Sequence, residues 1–109
     1  MATYRHEGKM VDYTPSSAVT GGDVVVQGEM VGVALLDIAA NALGALAVSG
    51  VFDFAKATTS GSAIPAGALC YWDATNEVAT TTSSGNKLIG KAVAAAAASA
   101  STVRIRMDQ

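Results

Sequence analysis

Val103-Arg104-Ile105-Arg106-Met107 places apolar and basic side chains alternately. Successive side chains of an extended chain point to opposite faces, so this spacing predicts a strand with one buried and one solvated face. Val51-Phe52-Asp53-Phe54 shows the same alternation with a carboxylate as its charged member. Outward from these two runs, turn chemistry recurs at Gly21-Gly22-Asp23, Gly28-Glu29, Ser60-Gly61-Ser62, Pro65-Ala66-Gly67 and Ser83-Ser84-Gly85-Asn86. Such residues supply positive φ, a pre-set φ or local side-chain hydrogen bonds. Between them the predicted strands are Lys9–Thr14, Asp23–Gln27, Met30–Leu36, Leu43–Ala55, Ala68–Asp73, Glu77–Thr82, Lys87–Ala97 and Thr102–Met107. Gly44 and Gly50 interrupt the longest run and predict bends or bulges there. The fold class that follows is all-β: one compact antiparallel, barrel-like domain with at most one short helical turn.

Two segments read less directly. Leu35-Leu36-Asp37-Ile38-Ala39-Ala40-Asn41-Ala42-Leu43 has helical propensity but is too short to stand as a helix without docking an apolar face. It is read as a loop or a single helical turn. The alanine run from Ala92 to Ala98 is read as strand, its small side chains allowing another backbone to approach. An internal echo is also present. Gly22-Asp23-Val24-Val25-Val26 precedes Val31-Gly32-Val33-Ala34, and Gly67-Ala68-Leu69-Cys70-Tyr71-Trp72-Asp73 precedes Ile89-Gly90-Lys91-Ala92. Each pair reads as turn glycine, strand, loop, then a strand opening apolar-Gly-X-Ala. The unequal intervals exclude a fixed-period array and predict two hairpins of similar shape.

Composition bounds the function. The chain has 109 residues and a formal charge of −2, enough for one domain and without the basic excess that phosphate neutralisation needs. Half the residues are hydrophobic, but 22 are Ala, which leaves 33 larger apolar side chains. A buried Val or Leu contributes about 1.5–3 kcal/mol, far more than an Ala methyl. The core is therefore thin, and part of the stability is expected from partners. One cysteine cannot form an internal disulfide. No run approaches the length of an apolar membrane span, and Met1–Lys9 has no signal-peptide core, so a cytoplasmic origin is expected. Residues 1–8 are read as an N-terminal arm and residues 9–109 as a single β domain.

The chemical motifs are incomplete. Gly85-Asn86-Lys87-Leu88-Ile89-Gly90-Lys91-Ala92 matches the first seven positions of a phosphate-cradling loop. The eighth position requires a hydroxyl for Mg²⁺, and Ala92 has none. A Cys70–His6 dyad is conceivable, but a lone cysteine within Leu69-Cys70-Tyr71-Trp72 reads as a small core hydrophobe. The six Asp are spread along the chain at strand ends and turns. Of Tyr71 and Trp72, one is expected in the core and the other exposed or in an interface. Arg104 and Arg106 share a strand face that is either solvated or part of a subunit salt bridge. No residue is assigned as catalytic, cofactor-binding or metal-binding, and no cofactor is expected.

The order of the pieces carries a resemblance. Lys9-Met10-Val11-Asp12-Tyr13-Thr14-Pro15, Gly22–Val26, Val31–Ala34, Gly50-Val51-Phe52-Asp53-Phe54-Ala55-Lys56, Tyr71-Trp72-Asp73, Ile89–Ala92 and Val103–Arg106 follow one another over nearly the whole chain. This series resembles the bacteriophage capsid cement, or head decoration, family, a small all-β family sometimes labelled recombinase-like. The resemblance implies a non-enzymatic virion protein with a β-tulip or small barrel fold. It implies a homotrimer on the outer surface of the expanded head, bridging major capsid protein subunits; from charge and hydropathy alone, no nucleic-acid or membrane partner is expected. Alternatives are another virion part, such as a head fibre base or tail component, and a nucleotide-binding recombination protein.

Overall fold

Gly22 and Gly67 each turn the chain in the left-handed region, at φ 95° and 83°, where a Cβ would be strained. Each turn feeds a strand pair, and the two pairs organise two sheets. The computed structural model describes residues 9–107, in which the strands are β1 (Met10–Tyr13), β2 (Val24–Gln27), β3 (Met30–Ala34), β4 (Gly44–Ala47), β5 (Gly50–Ala55), β6 (Leu69–Asp73), β7 (Val78–Thr80), β8 (Lys87–Ala92) and β9 (Thr102–Met107). The first sheet has the order β1-β4-β3-β2 and the second β5-β9-β8-β6-β7, with antiparallel neighbours throughout. The all-β expectation holds.

Three expectations are corrected in detail. The domain is two open sheets and not a closed barrel; a lone parallel bridge between Lys56 and Ala79 draws the second sheet's edges together without forming a ladder. The run Leu43–Ala55 is two strands in different sheets, divided at Val48 and Ser49. The alanine run leaves the sheet after Ala92, where β8 ends, and between Val93 and Ala98 only Ala96 makes a bridge, to Ile64. Methyl groups bury too little surface to hold a further strand against the sheet. Residues 35–43 form a loop with a bridge from Ile38 to Val19. The N-terminal arm expected over residues 1–8 lies outside the described residues.

The sequence echo is the trace of a structural repeat. Met10↔Ala47, Val33↔Ala47 and Val24↔Val33 form a row across the first sheet. Val51↔Arg106, Lys91↔Arg106 and Leu69↔Lys91 form the matching row across the second. The loops match as well. Gly22 N–H donates to Ala34 O and Ala34 N–H to Asp23 O; Gly67 N–H donates to Ala92 O and Ala92 N–H to Ala68 O. The Val19–Ile38 bridge has its counterpart in Ile64–Ala96. Thus β1, β2, β3 and β4 correspond to β5, β6, β8 and β9. The β7 hairpin is an insertion in the second half, which is why the echo has unequal intervals.

The two halves pack into one core. Val24, Val26, Val31 and Val33 of the first sheet meet Phe52, Phe54, Trp72, Ile89, Val103 and Ile105 of the second in one apolar cluster. Phe54 and Trp72 rings lie 6.1 Å apart within it. At its margin Lys87 Nζ pairs with Glu29 Oε1 at 2.9 Å, linking the second half to the β2–β3 turn. The sheet row that is largely buried in the first half is the one that faces outward in the second.

Candidate interaction surfaces

The outward row of the second sheet reads Val51, Arg106, Lys91 and Leu69 across four strands, all exposed. On the neighbouring strands β5 and β9, Arg104 Nε donates to Asp53 Oδ1 at 2.9 Å. That hydrogen bond, with the guanidinium charge, holds the Asp53 carboxyl below the usual carboxylate range and raises Arg104 in turn. Val93 N–H donates to Arg104 O and adds a further exposed apolar side chain. Arg104 is therefore tied within the chain. Arg106 and Lys91 have no carboxylate within ion-pair distance among the described residues.

A second surface lies on the loop between β3 and β4. Leu35, Leu36 and Leu43 are 51%, 78% and 72% exposed around a shallow groove of about 320 Å³ that Met10 and Ile38 also line. Ile38 is buried, and the leucines are not. The repeat makes their exposure informative: the loop after β8 reads Val93-Ala94-Ala95-Ala96, so the backbone course does not require leucines. A cleft of about 450 Å³ where β2 meets β5 and β6 is lined by Asp23, Asp53 and Glu77. Among the described residues no three of His, Cys, Asp and Glu gather as a metal site would need.

The remaining sequence candidates have structural places. Gly85 sits in a turn at φ 74°, and residues 87–92 continue as β8 with no helix behind them. A phosphate cradle needs free backbone N–H groups at a helix start, whereas Gly90 and Lys91 lie in a strand paired on both sides. Cys70 is fully buried, its Sγ 3.5 Å from Ala68 O, and burial pushes the thiol up. Its suggested partner, His6, lies outside the described residues. Trp72 is the core member of its pair and Tyr71 is half-buried. Asp73 caps a turn: it accepts from Thr75 N–H and from both the backbone N–H and the side-chain amide of Asn76, which lowers its carboxyl.

Sequence reasoning did not single out Lys56, which is 4% exposed. Its Nζ donates to the carbonyls of Ala57, Ala98 and Ala100, at 2.6, 3.1 and 3.2 Å. Nor did it single out the three leucines. The signal was in the echo: two equivalent loops, one leucine-rich and one alanine-rich.

The described residues form two β-sheets whose unburied apolar and basic groups lie on their outer surfaces. The sequence model of a family described as phage cement protein matches residues 5–107, and the chain belongs to that family. No curated protein and no solved structure matches it. The family's role is a structural one on the phage capsid, so the chain is a capsid-associated component of the virion.

Proposed function

We propose that the protein is a head decoration protein that binds the outer surface of the expanded capsid and stabilises it by bridging major capsid protein subunits. It acts as a homotrimer and without a catalytic step. The observation that carries this reading is the family match over residues 5–107, together with outer faces that carry apolar and basic groups. Residues 9–109 act as one β domain, with residues 1–8 as an N-terminal arm. A trimer that touches several subunits at once gains by effective concentration, so individually weak contacts suffice. It also covers strand edges that two open sheets leave unpaired.

The test mixes purified protein with expanded capsids that lack it. Binding, together with greater resistance of the capsids to heat, is the expected result. Absence of both overturns the reading. Sedimentation of the free protein tests the trimer separately.

A further inference from the structure

We propose that the outward face of the second sheet, centred on Arg106 and Lys91 and flanked by Val51, Leu69 and Val93, docks on an acidic, partly apolar patch of the capsid shell. This rests on the capsid role proposed above and names the surface and the chemistry of its partner.

The repeat sets this face apart. The corresponding row of the first sheet, Met10, Ala47, Val33 and Val24, is wholly apolar. Ala47 and Val33 in it are buried, and Val24 and Val33 pack against the second half. Two positions of that row are basic in the second sheet, while its ends remain apolar and stand about half exposed. Strands lie roughly 4.8 Å apart, so the row spans roughly 14 Å of sheet surface. Apolar margins around a charged centre suit a partner that excludes water at the edge and meets the cations with carboxylates.

Two copies of this face placed together would set Arg106 and Lys91 against the same cations, which is repulsive. Within the chain, Asp23, Glu29, Asp37, Asp53 and Asp73 already accept hydrogen bonds from its own groups. Only Glu29 and Asp53 among these meet a cation, so a different surface of a second copy is the alternative that the mass of the free variants tests, and the capsid association of the family makes the shell the partner. Arg106 and Lys91 stand side by side on adjacent strands, so one carboxylate pair on the shell can engage both.

The experiment compares wild-type protein with Lys91→Glu/Arg106→Glu on expanded capsids lacking the protein. Lys91→Gln/Arg106→Gln serves as a second variant that adds no new charge. Thermal unfolding and sedimentation of each free protein run alongside. Expected are roughly tenfold or greater loss of capsid binding in the Glu variant, a smaller loss in the Gln variant, and unchanged melting and mass. Wild-type binding should also weaken as NaCl is raised. Equal binding by wild type and both variants overturns this docking face and leaves the capsid role intact. A lower mass in the variants makes the face a contact between copies and overturns the choice of partner. Failure of the wild type to bind removes the capsid reading itself and this inference with it.

Discussion

Ile38 occupies the place where a side chain at Gly44 would begin: a Cβ on Gly44 would stand 2.5 Å from Ile38 Cδ1 and 2.6 Å from Cγ1. The repeat sets this pair against Val103 and Ala96 of the second half. In one half the loop residue is large and the strand residue has no side chain; in the other the strand residue is large and the loop residue small. Volume is conserved while its source is exchanged.

Gly44→Ala is therefore expected to cost about 1–3 kcal/mol by overpacking. Ile38→Ala is expected to cost about 2–5 kcal/mol by leaving a cavity. Gly44→Val combined with Ile38→Ala, which copies the second half, should cost clearly less than the two single changes added together. Denaturant midpoints of these variants, of Gly44→Val alone and of wild type check this. Additive losses would contradict the exchange.

Most of the β architecture was legible because alternation reports a half-buried strand directly. Thr102–Met107 appears with the same bounds in sequence and structure, since Val103, Ile105 and Met107 are buried and Arg104 and Arg106 exposed. Residues 43–55 were less legible. Gly50 turns the chain at φ 116° into another sheet, and a glycine in an apolar run looks the same whether it bends a strand or ends one. The alanine run misled because a methyl group has no preference strong enough to mark an edge. The surfaces were least legible: whether Leu36 or Lys91 faces solvent depends on how two sheets stack, and single-chain periodicity does not carry that.

Asp53 gives the pH dependence a definite sign. Its carboxyl is held below the ordinary value by Arg104, so the folded state binds the proton less readily than the unfolded chain. The stabilisation is present above the unfolded value and is lost as pH falls through the folded one. Asp53→Asn should melt slightly below wild type at neutral pH, and the difference should vanish in acid. Melting temperatures across the acid range check this, and parallel curves would refute it. Both groups are exposed, so salt should shrink the difference at neutral pH.

Cys70 has its repeat counterpart in Val25, and each faces a glycine of the neighbouring strand, Gly90 and Gly32. Cys70→Val should therefore leave stability within about 1.5 kcal/mol of wild type, as a near-isosteric apolar exchange. The buried thiol, with its ionisation pushed up, should resist iodoacetamide in the folded protein and react once denaturant is added. Rapid labelling under native conditions would show that β6 opens locally.

Lys56 fastens two loops that have no ladder between them. Its ammonium gathers carbonyls from Ala57 on one side and from Ala98 and Ala100 on the other, and the Ser62 hydroxyl, with one proton shared among Thr59 O, Ala57 O and Ala98 O, adds to the cluster. Removing the donor while keeping the stem leaves those carbonyls with a weaker set of partners in a confined place. Lys56→Met should cost about 1.5–3 kcal/mol, the usual range for hydrogen bonds to a charged group. The loss should be local first: amide exchange should quicken over residues 57–62 and 98–101 before it does in β8 and β9. Uniform acceleration would instead mean that Lys56 supports the whole domain. Unchanged exchange in both loops would mean that the bridge between Ile64 and Ala96 is enough to hold them.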